Sequence, residues 1–218
     1  MTDPAIFTEA TEVYLARRGV QALPHPVFED MQALANRKVF PIVGPEAGRF
    51  FLQLARLKRP RRVLELGSGF GYSAIWFALA CEHTRVVCTE FNAENIAMGQ
   101  DFAAQAGVAG RIEWHEGDAL DYARSLGQPE PFDVVFCDID KADYPRAWRL
   151  CREKLTGPGS LILFDNILWS GRVALSAGKQ DEATRAVVET TDLAYADEGV
   201  DVSIVPIRDG ILTAMTRE

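Results

Sequence analysis

The segment Val63-Leu-Glu-Leu-Gly-Ser-Gly-Phe-Gly-Tyr-Ser73 decides the fold. A short apolar run ends in glycines at 67, 69 and 71, and the apolar stretch Tyr72–Cys81, long enough for a helix, follows at once. That order reads as a strand turning tightly into a helix. Glycine backbone reaches positive φ and lets another group approach closely, so the turn is also a candidate ligand cradle. In an open α/β sheet, ligands bind beyond the C-terminal ends of the strands, where this turn would sit.

Outward from this turn, short apolar runs alternate with helical patterns. Strands are expected at Arg62–Leu66, Arg85–Glu90, Arg111–His115, Phe132–Asp138 and Ser160–Phe164. Helices are expected at Tyr72–Cys81, Ala93–Ala106, Ala119–Leu126 and Tyr144–Leu155. The runs VVFCD and LILFD are apolar on both faces, as in a parallel sheet covered by helices on both sides. After a helical stretch at Asp181–Tyr195 come two more strands, VDVSIVPI and ILTAMT, joined through Arg208-Asp209-Gly210. Asp-Gly in a short connection is a hairpin signal, so this pair is expected to be antiparallel. Residues 1–60 read as helical, with candidates at Phe7–Arg18 and Phe28–Asn36, punctuated by prolines at 24, 26, 41 and 45. The expected fold is α/β, a single domain over residues 1–218 with its sheet in residues 61–218. The sheet is Rossmann-like, doubly wound and seven-stranded, mostly parallel with an antiparallel C-terminal hairpin, and helices cover both faces.

Composition narrows the function. The chain has 218 residues, 48% hydrophobic and 25% charged, ordinary for a soluble globular protein. A net charge of −8 argues against a nucleic-acid partner, which needs a basic face. The one basic cluster, Lys58, Arg59, Arg61 and Arg62, flanks an expected strand and reads as a solvated loop. No apolar run reaches the ~18 residues of a membrane span. The polar start MTDPAIFTEATEV lacks the pattern of a signal peptide, which makes the cytoplasm the expected location. Cys81, Cys88, Cys137 and Cys151 form no CxxC pair and read as buried free thiols.

The glycine turn departs from the dinucleotide fingerprint G-x-G-x-x-G, because Gly71 comes one residue early and Tyr72 takes its slot. Glu65 stands two residues before Gly67, where a carboxylate would repel a pyrophosphate but suit a cationic ligand. The second strand ends at Glu90, a residue type that accepts hydrogen bonds from two ribose hydroxyls. The pattern E-x-G-x-G-x-G followed by a strand ending in Glu resembles the S-adenosylmethionine site of class I methyltransferases. That resemblance implies that Glu65, Gly67, Ser68 and Ser73 line the methionine side and that Glu90 holds the ribose. It also puts Gly117-Asp118-Ala119 at the adenine, although Asp118 is equally placed to cap the following helix.

Past the fourth strand come Asp138-Ile139-Asp140-Lys141, and past the fifth Asp165-Asn166. Asp138, Asp165 and Asn166 offer hard oxygen ligands of the kind that select Mg²⁺, Mn²⁺ or Ca²⁺ over zinc. Each of them singly would read as a helix cap or a solvated acid. Together, DIDKADY and DNILWSGRV resemble the motifs D-A-D-K-x-x-Y and D-N-x-L-W-x-G-x-V of the cation-dependent O-methyltransferases, the group that includes catechol and caffeoyl-CoA O-methyltransferases. Pro206-Ile-Arg-Asp-Gly210 resembles that family's last hairpin, and the likeness runs from about Phe40 onward. It implies that Asp138, Asp165 and Asn166 ligate a divalent metal, Mg²⁺ first among the candidates. It implies further that Asp138 and Asp140 also contact the cofactor, that Lys141 is the general base, and that the backbone near Val43 touches the cofactor. It also implies a small phenolic or catechol acceptor and a homodimer. Ile139 departs from the family's small residue, and Ser170 stands where plant caffeoyl-CoA enzymes carry a substrate-contacting asparagine.

The chemistry follows from the residue types. A neutral phenol, with a pKa near ~10, is a poor nucleophile. A metal on its oxygen acidifies it and fixes its direction, and Lys141 then takes the proton. Trp169, just past the metal ligands, reads equally as an aromatic wall or as packing, whereas Trp148 reads as core. His25 and His115 read as local residues rather than bases. Three other readings compete. An NAD-dependent oxidoreductase predicts a glycine at 72 and no metal triad. A metal-free methyltransferase leaves the Asp/Asp/Asn set unexplained. A non-catalytic binding protein predicts a damaged site.

Overall fold

A computed structural model of the chain describes residues 8–20, 23–127 and 130–217. Seven strands form one sheet: β1 (Arg62–Leu66), β2 (Arg85–Glu90), β3 (Ile112–Glu116), β4 (Phe132–Cys137), β5 (Thr156–Phe164), β6 (Val200–Val205) and β7 (Ile211–Thr216). Their order across the sheet is β3-β2-β1-β4-β5-β7-β6. The neighbours among β1 to β5 pair in parallel, and β7 runs antiparallel to both β5 and β6. The expected α/β architecture and C-terminal hairpin are present. The hairpin folds back so that β7, not β6, lies against β5.

The helices are α1 (Glu9–Val20), α2 (Val27–Lys38), α3 (Gly44–Lys58), α4 (Tyr72–Ala80), α5 (Ala93–Gln105), α6 (Ala119–Ser125), α7 (Tyr144–Leu150) and α8 (Glu182–Ala196). Two hydrophobic cores, one on each face of the sheet, are fed by alternate strand residues. Val63, Val134 and Phe136 join the first, with residues of α2 to α5; Leu64, Leu66, Val135 and Cys137 join the second, with residues of α6 to α8. Burial on both faces explains why the parallel strands lack polar alternation. In the first core Phe51 stacks on Phe77 at 5.3 Å and meets Phe136 at 4.8 Å.

The N-terminal segment holds a helix beyond the two expected. α3 begins Gly44-Pro45, and proline in the first turn costs no intrahelical hydrogen bond, so Pro45 starts this helix rather than interrupting it. Its buried residues Ala47, Phe51, Leu52 and Ala55 form a helical stripe. Phe7, the first residue of one expected helix, lies outside the described residues. The expected helix Tyr144–Leu155 is α only to Leu150 and widens to a π-helical turn over Cys151–Leu155. β5 starts four residues earlier than expected, at Thr156. Among the described residues, no helix is long and apolar enough to cross a membrane.

The strand order reverses between β1 and β4, the place where an open α/β sheet leaves a crevice at its C-terminal edge. Backbone pairing continues one or two residues past several strands and keeps their ends level. Ser68 N donates to Thr89 O at 2.9 Å, Gly117 N to Glu90 O at 3.0 Å, Asp138 N to Leu66 O at 2.9 Å and Asp165 N to Cys137 O at 3.1 Å. Residues just after β1 to β5 are thereby delivered to one edge.

Candidate functional site

A cavity of about 1070 Å³ opens along that edge. Of the residues singled out from sequence, Val43, Gly67, Ser68, Ser73, Glu90, Asp118, Ala119, Asp138, Asp140, Lys141, Asp165 and Asn166 line it. Glu65 does not face the cavity directly. It is fully buried behind Ser73, whose hydroxyl donates to Glu65 Oε1, while Cys88 Sγ lies 3.8 Å from Oε2. Burial pushes the Glu65 carboxyl up to about 8; the Ser73 and Cys88 bonds pull it down, and Asp138 and Glu90 add to the rise.

The glycine turn is shaped by backbone constraint. Gly67 has φ +81°, and a Cβ there would come within 2.5 Å of Asp138 O, so only glycine lets the turn after β1 pack against the end of β4. Gly71, at φ +79° and capping α4, abuts the Trp114 ring of β3. Glu90 is nearly buried and already well bonded. Oε2 accepts from Gly69 N at 2.9 Å, and Oε1 accepts from Asn92 N at 2.9 Å and Asn95 Nδ2 at 3.2 Å. Its remaining lone pairs suit a diol. Asp118 is both an N-cap and a lining residue: its Oδ1 accepts from Asp121 N at 2.8 Å. Asp140 likewise caps the short 3₁₀ turn at Lys141–Asp143, accepting from Ala142 N at 2.9 Å.

At the other end, Lys141 is 8% exposed and all three of its ammonium protons have acceptors. Nζ lies 2.8 Å from Asp138 Oδ1, 3.3 Å from Ile139 O and 2.8 Å from Tyr144 Oη. Tyr144 in turn donates to Asp165 O at 2.9 Å, tying the lysine to the end of β5. Burial raises the Asp165 carboxyl well above the usual range, and the nearby Asp138 charge raises it further; the Asn166 N–H, Lys141 and Arg208 act in the opposite direction. Asn166 takes left-handed φ +53°, a conformation asparagine tolerates better than most residues. Among the described residues no group of three or more His, Cys, Asp or Glu is gathered for a metal. The set here is two carboxylates and an amide, all oxygen donors.

With this geometry in place, the sequence model of the O-methyltransferase family matches residues 20–217. The chain belongs to that family. It is 32% identical over 168 residues to the catechol O-methyltransferase of Niastella koreensis, covering 75% of this chain and 74% of that one. It is 31% identical over 202 residues to caffeoyl-CoA O-methyltransferase 1 of Eucalyptus globulus, covering 86% and 80%. Among solved structures, the O-methyltransferase TomG of Streptomyces achromogenes, in complex with S-adenosylmethionine, superposes with a TM-score of 0.85 at 26% identity, covering 97% of this chain and 100% of that one.

His25, His115 and Trp148 lie outside this O-methyltransferase cavity, and Trp169 lies within it. His25 Nδ1 accepts from Val27 N at 3.1 Å. His115 bonds Glu113 at 2.8 Å and stacks on Tyr122 at 4.1 Å. Trp148 is core, beside Phe164. Trp169 lines the cavity, its ring 5.7 Å from Lys141 Nζ and its buried Nε1 without a hydrogen-bond partner. All four cysteines are free thiols. Several lining residues carried no role in the sequence reading, among them Phe91, which directly follows Glu90, Tyr72, which opens α4, and Arg208, which sits in the last hairpin. Tyr144, which holds Lys141 from behind, was also without a role although it closes the DIDKADY motif. The motifs contained Tyr72, Tyr144 and Arg208, but nothing local says which way their side chains turn.

Proposed function

We propose that this O-methyltransferase uses S-adenosylmethionine to methylate a hydroxyl of a small catechol-like or phenolic acceptor, with a divalent metal held by Asp138, Asp165 and Asn166. The observation that carries the reading is the meeting of the Lys141–Asp138 pair with Asp165 and Asn166 in the cavity that also holds Ser68, Gly69 and Glu90. The donor set fits a hard dication such as Mg²⁺, with Mn²⁺ and Ca²⁺ as the other candidates. The Asp138 charge adds to the rise of the buried Asp165 carboxyl, and a cation held by both would relieve that repulsion. The cavity's acidic lining equally fits a donor that carries a sulfonium and an ammonium group.

When bound, the metal would acidify the acceptor hydroxyl and S-adenosylmethionine would offer its methyl as an electrophile. The chain's own residues then have separate duties. Glu90 holds the ribose, Ser68 and the amides of the glycine turn face the donor, and Glu65 acts through Ser73 by fixing its hydroxyl. Lys141 Nζ, as the neutral amine, is the group placed to take the phenolic proton, and the ammonium so formed is held by Asp138, Ile139 O and Tyr144 Oη. Tyr144 Oη and Ile139 O hold that nitrogen at the end of β4 independently of Asp138, which would be one of the metal's ligands. Trp169 and the turn after β1 bring two reactants into one cleft.

The test is methyl transfer from labelled S-adenosylmethionine to catechol. A chelator should abolish transfer and added Mg²⁺ or Mn²⁺ should restore it. Activity indifferent to the chelator overturns the metal assignment.

A further inference from the structure

Six carboxylates line the cavity, Glu90, Asp118, Asp138, Asp140, Asp143 and Asp165, against two cations, Lys141 and Arg208. Lys141 is committed to Asp138 at 2.8 Å. Among the described residues, the Arg208 guanidinium has neither a hydrogen bond nor an ion pair, although its charge reaches Asp165 and Tyr72.

The fold places this arginine at the acceptor end. Arg208 stands in the connection between β6 and β7 at φ +53°. That connection is strapped to the loop after β5: Ile167 N donates to Gly210 O at 3.0 Å, Leu168 N to Asp209 O at 2.9 Å and Ser170 N to Asp209 Oδ1 at 2.5 Å. The same loop carries Asn166 and Trp169, whereas Glu90 ends β2 and Asp118 follows β3, on the far side of β1. The guanidinium lies against Gly44, where any Cβ would overlap Nη1 at 1.6 Å. Glu46 brings its buried Oε2 to 3.2 Å from the same point, offsetting some of the charge without bonding it. Tyr72, on the same wall, is 2% exposed; the Trp76 N–H acts on its hydroxyl as a donor, and the O–H proton itself has no acceptor among the described residues.

We propose that Arg208, with the Tyr72 hydroxyl beside it, is a specificity site for a carboxylate on the acceptor, so that the preferred substrates are catechols bearing an acid group. This rests on reading the cavity as a catechol O-methyltransferase site. An anionic acceptor would be repelled by the other cavity walls, and a cation without an ion-pair partner at the acceptor end lowers that penalty. A guanidinium presents a planar fork that matches a carboxylate, and the phenolic O–H supplies a further donor.

The experiment compares 3,4-dihydroxybenzoate with 4-methylcatechol as acceptors, with S-adenosylmethionine and Mg²⁺ present, and reads the ratio of their kcat/KM values. Arg208→Gln should lower the acid-to-neutral ratio about tenfold, the usual effect of losing one charge-assisted contact. Arg208→Lys should recover part of it, because the charge returns without the fork. Both variants keep a side chain at the same positive φ, so the backbone cost is matched. Tyr72→Phe should lower the ratio by a smaller factor. Calorimetric titration of 3,4-dihydroxybenzoate into protein holding S-adenosylhomocysteine and Mg²⁺ should show the same weakening in Arg208→Gln without turnover. An unchanged ratio in Arg208→Gln, with the wild type methylating both acceptors, overturns the carboxylate site and leaves the methyl-transfer reading standing. A wild type that methylates neither acceptor overturns both.

Discussion

The two ends of the cavity are built on different principles. At the end formed by the turns after β1 and β2, the protein already bonds the carboxylates itself. Glu90 receives three hydrogen bonds, and Glu65 is held by Ser73 and Cys88. Shape there comes from backbone: Gly67 lets the turn touch the carbonyl of Asp138. At the end formed after β4 and β5, side chains make the site and the charges are left incomplete. Asp138 and Asp165 oppose each other, and Trp169 Nε1 and the Arg208 guanidinium lack partners among the described residues. The first end is bonded within the chain itself. The second is electrostatically unfinished, which is the condition under which a bound cation or substrate gains most. Changes at the first end should therefore act on cofactor binding and stability, and changes at the second on the acceptor and its turnover.

The largest effect tests that separation directly. Lys141→Ala should lower turnover at neutral pH by about 10²- to 10⁴-fold, the range for a general base. Its affinity for S-adenosylhomocysteine, measured by calorimetry, should stay within about twofold of wild type. Full turnover would remove Lys141 as the base, and a parallel loss of affinity would show that the two ends are not independent.

Gly67→Ala strikes the seam between them. The substitution forces alanine to φ +81° and a Cβ to within 2.5 Å of a backbone oxygen. A loss of about 1–3 kcal/mol is expected from strain and overlap, or roughly 2–4 °C of Tm per kcal/mol for a chain of this size. Cofactor affinity and turnover should fall together. An unchanged melt would mean that the turn relaxes freely and that the seam is not a constraint.

The smallest effect concerns the buried carboxyl behind the turn. Glu65 has an ordinary value of 4.5, raised to about 8 by burial, so the folded protein keeps its proton to higher pH than the unfolded chain does. Its contribution to stability is complete below about 4.5 and is lost as pH rises through about 8. Glu65→Gln keeps a neutral side chain there, so its Tm should fall less between neutral and mildly alkaline pH than that of the wild type. Parallel melting curves across that range would show that Glu65 is ionised in the folded protein throughout.

Much of this site could be read before folding was known, for a specific reason. Asp138, Asp165 and Glu90 directly end apolar runs, and in a parallel sheet the residue that ends a strand is delivered to the ligand-binding edge. Gly67 and Gly71 were legible because tight turns demand their backbone freedom. The third N-terminal helix was not legible, because Pro45 reads as a break unless it falls in a first turn. The π-helical widening after Leu150 has no signal in the pattern of apolar residues.

The sequence by itself determined the α/β class, the parallel strands with their turn residues, the C-terminal hairpin and membership of the motif family. These depend on periodicity and on short contiguous motifs, which act over a few residues. Tertiary structure alone decided that β7 lies between β5 and β6, that Glu65 stands behind Ser73, that Tyr144 grips Lys141, and that Arg208 reaches across to Gly44 beside Asp165. Each of those facts is a meeting of side chain and partner set by packing across the sheet, and no local pattern encodes which neighbour a side chain will find.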